Sequence, residues 1–174
     1  MQYLLKISIE NTPLWRLIAV DGEADISHIA GLISIAFDYM PANHSFEIAG
    51  HQYHAGFGGD ARNVEELRVF NELKLKEGDE FFFKSEYCPA LRHRVIVMKA
   101  EEKLYCLIPS CLVGAGKIPA SELNEEAISA YYDKEDTPSL DLREVTNRLR
   151  AFGSQRKDLK NTIAKAAAIP FDIK

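Results

Sequence analysis

The sequence predicts an α+β fold in which one long helix crosses a mixed β-sheet and further helices follow at the C-terminus. Residues 3–10 alternate with the period of two that a half-buried strand shows, and residues 15–20 resume the strand pattern after a break at residues 11–13. Asp25 then precedes a stripe of apolar residues at helical spacing. Because the pattern becomes helical after Pro119, we expect a core domain over residues 1–119 and a helical extension over residues 120–174.

The N-terminal segment predicts a β-hairpin and the crossing helix. The strands cover residues 3–9 and 15–20, and Pro13 falls in the turn between them. In the second strand the lone Trp15 is expected in the core, which places Arg16 on the opposite face. The helix carries its apolar residues at helical spacing: Ile26, Ile29, Ile33 and Phe37.

The middle of the chain predicts two more strand pairs. Ala49-Gly50 is a turn dipeptide between the strands of the first pair, and the breaker Cys88-Pro89 separates those of the second. Pro109 ends a further strand because proline cannot donate to a sheet ladder. The elements are, in order, strands over residues 45–48 and 52–54, a short helix within 63–73, and strands over 80–87, 93–98 and 104–108.

The C-terminal region predicts three amphipathic helices. Ser121 is placed to cap the first, and Gly153-Ser154 separates the second from a third that Pro170 ends. A charged linker over residues 133–139 joins the first two. Their apolar stripes are Leu123, Ala127, Ile128 and Tyr131 for the first helix, and Leu142, Val145, Leu149 and Phe152 for the second.

Composition and charge restrict the class of protein. With 47% hydrophobic and 27% charged residues, the chain has the composition of an ordinary globular domain. No apolar run approaches the ~20 residues of a membrane span, and the N-terminus lacks the pattern of a signal peptide, so a cytoplasmic location and no membrane partner are expected. Three cysteines without paired spacing indicate reduced thiols. A net charge of −5 restricts any nucleic-acid binding to a local patch.

Reactive side chains concentrate at the turn of the 80–98 hairpin. Glu86 ends one strand and His93 begins the next, so the carboxylate could orient the imidazole for acid–base chemistry; a chance meeting at the hairpin mouth is the alternative. Cys88, His93 and Cys111 are of the types that bind zinc. Their unrelated spacings favour inert buried thiols, so no cofactor is predicted, with zinc as the alternative.

Several short motifs occur together in register. They are residues 3–9, the run Pro13-Leu14-Trp15-Arg16, residues 29–37 leading to His44-Ser45-Phe46, the run Gly78-Asp79-Glu80-Phe81, and the pair Arg92-His93. In their order and spacing, these motifs resemble the plasmid pRiA4b ORF-3-like family over about residues 3–120. The resemblance implies a β-grasp-like, MM3350-like arrangement of sheet and helix. It also implies an association with bacterial plasmids or mobile elements, without an established biochemical activity.

The resemblance also implies candidate site residues. Where the family reads Tyr-Asp-Phe-Gly-Asp this chain has Ser85 to Pro89, so only Glu86 and Glu122 remain to stand in for the family's acidic residues. The chain is therefore a divergent member, and Glu86, His93 and Glu122 form its candidate catalytic set. The matching positions that carry candidate ligand or anion contacts are Trp15, Arg16, His44 and Arg92.

The last 34 residues are locally basic, with eight Lys or Arg against four Asp or Glu. A basic helical segment on an acidic chain is one arrangement that binds nucleic acid, and helices that pack on their own sheet are the alternative. The candidate nucleic-acid contacts are Arg148, Arg150, Arg156, Lys157 and Lys160.

These observations favour a noncatalytic binding module for a protein or small ligand, with its groove between the 86–92 turn and the loop over residues 109–119. The first alternative is a metal-assisted or acid–base hydrolase that uses Glu86, His93 and Glu122. The second is nucleic-acid binding through the basic C-terminal helices.

Overall fold

A single layer of strands forms the centre of the molecule. The computed structural model describes residues 1–55, 68–119, 123–133 and 139–168, with backbone alone at 154–165 and 167. The strands in this part of the chain are β1 (Gln2–Ile9), β2 (Trp15–Asp21), β3 (His44–Ile48), β4 (His51–Ala55), β5 (Glu80–Ser85), β6 (His93–Glu101) and β7 (Ser110–Ala115). The helices are α1 (Ile26–Ala36), α2 (Glu125–Tyr132) and α3 (Leu142–Ala167).

The described strands form one seven-stranded sheet in the order β4-β3-β5-β6-β1-β2-β7. Every neighbouring pair is antiparallel, so the α+β class is confirmed and the expectation of a mixed sheet is wrong. Strand direction depends on which strands become neighbours, and hydrophobic periodicity does not carry that information. The β-grasp-like label stays a prediction.

The three predicted hairpins are present, and one predicted strand is not. Residues 104–108 lie outside the sheet, and the last strand instead begins at Ser110, after Pro109. The side chains of Tyr105 and Leu107 are 96% and 68% exposed, so this apolar run was misread as a buried strand face. Residues 63–67 of the predicted short helix lie outside the described residues, and Phe70–Leu73 form a 3₁₀ helix.

Helix α1 begins where the sequence predicts. The Asp25 carboxylate accepts a hydrogen bond from the His28 backbone N–H at 2.8 Å, which satisfies one of the amides that a helix start leaves open. The apolar stripe of α1 faces the sheet, and Ile26, Ile29 and Ile33 are fully buried there. The helix therefore covers one face of the sheet and closes the main core.

Arg16 lies in that core, on the helix side of the sheet. Its side chain is 2% exposed, and its Nε donates to the carbonyl of Ala36 at the end of α1 at 2.9 Å. Its Nη1 donates to the carbonyls of Trp15 and Ala115, both at 2.9 Å. The expected assignment of Trp15 to the core and Arg16 to the outside is therefore reversed. The guanidinium also lies 4.8 Å from the ring centroid of Phe37, so one side chain joins β2, β7 and α1.

The two C-terminal helices differ from the three that were predicted. Asn124 caps α2 by accepting from the Ala127 N–H at 2.8 Å, whereas Ser121 lies outside the described residues. Helix α3 continues through Gly153, so the predicted break there is wrong. A Cβ at this glycine would lie 3.3 Å from the Pro109 ring. The absence of a side chain at Gly153 therefore lets α3 pack closely against Pro109. Within the described residues, no helix is long and apolar enough to span a membrane.

Helix α3 packs on α1 and along the edge strand β7. Phe152 stacks on the His28 ring with centroids 4.9 Å apart, and Gly31 leaves the space that this ring occupies. At the sheet edge the Thr146 hydroxyl accepts from the Cys111 N–H at 3.0 Å and donates to the Cys111 carbonyl at 3.2 Å. One threonine thus replaces a neighbouring strand at this position, which protects an otherwise open edge.

We expect Arg16→Met to lower the free energy of unfolding by about 2–4 kcal/mol, because one buried and two partly buried carbonyls lose a charged donor. Arg16→Lys should recover only part of the loss, since one ammonium cannot reach both Ala36 and Ala115 as the guanidinium fork does. Urea unfolding measures both variants. The control is Arg94→Met, which removes an exposed strand arginine. Equal stability of Arg16→Met and the control would contradict this role for Arg16.

We expect Thr146→Val to cost about 1–3 kcal/mol, because a nearly isosteric side chain leaves the amide and carbonyl of Cys111 unpaired. Thr146→Ser keeps the hydroxyl and should retain most of the stability. Thermal or urea unfolding compares the two. A valine variant that is as stable as the serine variant would show that the hydroxyl does not support the β7 edge.

Candidate functional site

The 86–92 turn lies above a buried cluster of polar side chains. His93 is fully buried, and its Nδ1 lies 3.2 Å from the carbonyl of Phe83. A carbonyl only accepts, so Nδ1 carries the proton and Nε2 accepts from the Tyr39 hydroxyl at 2.6 Å. The Cys88 thiol hydrogen-bonds with the hydroxyls of Tyr39 and Ser85. Both ring nitrogens of His93 are therefore occupied by groups inside the core.

Burial keeps this cluster uncharged at neutral pH. Desolvation lowers the pKa of His93 from its usual 6.5 to about 4, and it raises the pKa of the Cys88 thiol to about 11. Burial also raises the pKa of Tyr39. A neutral imidazole, a protonated thiol and a protonated phenol are a hydrogen-bonded core network.

Glu86, one of the two other predicted catalytic residues, is hydrogen-bonded to Asn43 and not to His93. Glu86 is exposed at the surface of the turn, and its Oε2 accepts from the Asn43 side-chain amide at 3.1 Å. Glu122 lies outside the described residues. The structure thus does not bring Glu86 and His93 together through a hydrogen bond, and the catalytic set stays a prediction.

The structure separates one of the three candidate zinc ligands, Cys111, from the other two. Cys88 is close to His93 through Tyr39, but Cys111 is in β7, three strand positions from β6, which corresponds to about 14 Å. In the part of the chain that the structure describes, no three His, Cys, Asp or Glu side chains are grouped closely enough to hold a metal ion. All three cysteines are free thiols.

The candidate ligand contacts fall into two groups. Arg16 and His44 are buried, and His44 stacks on the Phe83 ring with centroids 5.2 Å apart. The His44 Nε2 is buried without a hydrogen-bond partner, and desolvation lowers the pKa of this imidazole to about 4. Trp15 and Arg92 are instead at the surface, on the side of the sheet that faces away from α1.

The candidate nucleic-acid contacts are only partly described. Arg148 is 2.9 Å from Glu144 and 3.8 Å from Asp38, so its charge is compensated by two carboxylates near the end of α1. Arg150 is half-buried on α3. The side chains of Arg156, Lys157 and Lys160 lie outside the described residues.

A surface that the sequence analysis did not single out lies on the sheet face away from α1. We name it the open face. On each strand its members alternate with buried residues, and they are half-buried or exposed themselves. The open face consists of Lys6, Ser8, Trp15, Leu17, Phe82, Arg94, Ile96 and Val113.

Two cation–aromatic pairs frame the open face at the end where the 86–92 turn lies. The Lys6 ammonium is 5.1 Å from the ring centroid of Trp15, and the Arg92 guanidinium is 3.5 Å from that of Phe82. Arg94 and Ser8 pair on the strands between the two aromatic rings. The open face therefore carries a polar strip between two aromatic ends.

An open depression of about 380 Å³ lies on this polar strip and the adjoining β1–β2 turn. The 86–92 turn is hydrogen-bonded to one of the lining residues, because the Glu10 N–H donates to the Arg92 carbonyl at 2.9 Å. Arg94 is bound in turn by Glu80, whose Oε2 accepts from its Nε at 2.7 Å. The lining residues are Ser8, Ile9, Glu10, Asn11, Thr12 and Arg94.

The chain matches one known protein family over most of its length. The family described as plasmid pRiA4b ORF-3-like protein matches residues 1–161. The chain belongs to this family. The match includes most of α3, so it extends beyond residue 120, where the resemblance of the sequence motifs ends. The division of the chain at residue 119 stays a prediction.

A solved structure supports the family arrangement of the fold. The chain is similar to the crystal structure of a protein of unknown function, MM3350 from Methanosarcina mazei Go1, with a TM-score of 0.63 and 18% sequence identity. The alignment covers 83% of this chain and 97% of that chain. At this identity the likeness shows the fold alone, and it confirms the MM3350-like arrangement. No curated protein matches the chain.

We expect the protein to lose stability as the pH falls from about 6.5 towards 4. His93 and His44 each have a folded-state pKa of about 4 against the usual 6.5, so the unfolded chain binds more protons in this window. Their contribution is complete above pH 6.5, and each pKa shift corresponds to roughly 3 kcal/mol lost by acidification. Urea unfolding at several pH values measures the slope.

Substitution of one histidine should reduce that slope. His93→Gln keeps an acceptor for Tyr39 but removes the titrating imidazole, so the variant is less stable at pH 7 and less sensitive to acid. The control is His51→Gln at an exposed histidine of β4. An unchanged slope in His93→Gln would show that burial of His93 does not govern the acid response.

Proposed function

We propose that the protein is a noncatalytic binding module whose ligand lies on the open face, around the depression beside the β1–β2 turn. The observation that carries the proposal is the pair of cation–aromatic contacts, Lys6 with Trp15 and Arg92 with Phe82, on either side of that depression. Aromatic rings on an accessible sheet supply large contact area at low entropic cost.

The chemistry of the open face favours a ligand with a flat apolar part and an anionic group. Leu17, Ile96 and Val113 extend the apolar area beside the aromatic rings, and Val113 is 40% exposed. The hydroxyl and amide groups of the depression provide hydrogen bonds. The positive charge comes from Lys6 and Arg92 over the two aromatic rings, because Glu80 already binds Arg94. A small number of polar groups placed within apolar surface is typical of a ligand site.

The position of the depression supports a ligand site at the end of the sheet where the sequence predicts a groove. The 86–92 turn, the β1–β2 turn and the end of β7 lie at the same end of the sheet, since His93 pairs with Ile9 and Trp15 pairs with Ala115. The depression is at the β1–β2 turn, and therefore lies between the 86–92 turn and the end of β7. This position supports the binding role over a role for the buried His93 cluster.

We place this binding function in plasmid or mobile-element biology and in the cytoplasm. The family description supports the first part, because it refers to a reading frame of plasmid pRiA4b. Free thiols at Cys88, Cys106 and Cys111 support the second, since such cysteines are typical of reducing compartments.

A fluorescent aromatic anion tests the proposal, because Trp15 is the single tryptophan and lies at the site. We expect anilinonaphthalene sulfonate to bind the folded protein and to receive energy from Trp15. Phe82→Leu and Arg94→Gln should each weaken binding about 5- to 30-fold, as expected for loss of one aromatic or charged contact.

The matched control is Tyr105→Leu, which removes an aromatic ring that is 96% exposed and outside the open face. It should bind the dye as the wild type does. Equal dye affinity of Phe82→Leu and the wild type, with both proteins folded by circular dichroism, would refute a ligand site on the open face.

A further inference from the structure

We infer that the partner of the open face is single-stranded nucleic acid. This inference rests on the proposed function, because it names the partner of the same site. It is separate from the predicted use of the basic C-terminal helices, because the residues that carry it lie on β1, β2, β5, β6 and the 86–92 turn. The juxtaposition that carries it is two stacking platforms, each with a cation over its aromatic ring, and a polar strip between them on which Arg94 is ion-paired with Glu80.

The first platform is the guanidinium of Arg92 on the ring of Phe82. At 3.5 Å from the ring centroid, the planar guanidinium lies in contact with the ring, and its side chain remains 43% exposed. Both an aromatic face and a guanidinium plane accept a nucleobase by stacking. Arg92 is also 3.8 Å from Glu10, which limits its range of positions.

The second platform is Trp15, with the ammonium of Lys6 above its ring. Trp15 is half-buried on β2, and Phe82 is half-buried on β5. The strands between them are β6 and β1, so three inter-strand steps separate the rings by about 14 Å. Two bases of one extended strand can therefore stack on the two platforms, with intervening nucleotides over the depression.

The polar strip offers groups that can contact the phosphates, sugars and base edges of a single-stranded nucleic acid. Arg94 is 46% exposed and can approach a phosphate, although Glu80 already binds it. Ser8, Asn11 and Thr12 line the depression with hydroxyl and amide groups that can bond to base edges or sugars. Two of them also have partners within the protein, because the Asn11 amide donates to Glu125 at 3.1 Å and the Thr12 hydroxyl donates to the Ile9 carbonyl at 2.9 Å.

The charge of the open face favours a single strand over a duplex. Its cations are Lys6 and Arg94, with Arg92 of the 86–92 turn at its edge. Glu10 lies within ion-pair distance of Arg92, and Glu80 within ion-pair distance of Arg94. A duplex offers phosphates rather than base faces, so three partly compensated cations on a chain of net charge −5 would bind it weakly. A single strand adds base stacking, which is worth about 1–3 kcal/mol per base.

The test measures fluorescence anisotropy of a labelled oligothymidylate of about ten nucleotides with the full-length protein. We expect Trp15→Leu and Phe82→Leu each to weaken binding about 5- to 100-fold. Trp15→Phe keeps an aromatic ring and should restore most of the affinity. The control, Tyr105→Leu, should bind as the wild type does.

Salt dependence gives a second readout. With three phosphate-binding cations, the logarithm of the affinity should fall with the logarithm of the salt concentration with a slope of about −2. Lys6→Gln should make this slope shallower by about 0.7. An unchanged slope in Lys6→Gln would contradict a phosphate contact at that position.

Other outcomes overturn the inference in distinguishable ways. Binding of a duplex of the same length as tightly as the single strand would contradict stacking on the open face. Binding lost in a variant with Arg156, Lys157 and Lys160 replaced by Gln, but kept in Phe82→Leu, would assign the nucleic acid to α3. Dye binding on the open face without oligonucleotide binding would exclude nucleic acid and leave the proposed function standing, with a protein as the partner class. Loss of both would refute both proposals.

Discussion

The contact on which the rest of the structure depends is the guanidinium of Arg16 at the end of α1. A helix end presents carbonyls without intrahelical partners, and Arg16 satisfies one of these at Ala36. The same group binds Ala115, so it fixes the helix against β2 and β7 together. Burial lowers the pKa of this guanidinium, yet arginine stays charged in proteins. The sheet thereby acquires a closed side, where α1 and α3 pack, and a second side that these helices leave open.

The two sides of the sheet have different chemistry for that reason. On the closed side, polar groups such as His93 and Tyr39 bond to each other, and burial keeps them neutral. On the open face, cations lie over aromatic rings at the surface. The histidine that follows the 86–92 turn is hydrogen-bonded within this closed side, and its catalytic role stays a prediction. The residues of the open face alternate along the strands with these buried residues, as Arg94 follows His93 in β6.

Local rules predicted the elements whose signals are complete within a few residues. The Asp25 cap, the hairpin turn at Ala49-Gly50 and the breaker at Cys88-Pro89 each fix backbone geometry locally, and the structure has them. The predictions of a helix break at Gly153 and of a strand at residues 104–108 are wrong, because the conformation at both places depends on residues distant in sequence. The glycine lies against Pro109 inside a continuous helix, and the apolar 104–108 run leaves the sheet before β7 begins.

By itself, the sequence determined the α+β class, most strands, the crossing helix and the family, because periodicity, caps and short motifs are properties of adjacent residues. Alternation along β2 also determined that Trp15 and Arg16 point to opposite faces. It did not determine which face the helices would cover, so the expected places of these two residues were exchanged. That choice is made by tertiary packing, in which the carbonyls of Ala36 and Ala115 select the one side chain of β2 that can bond to both.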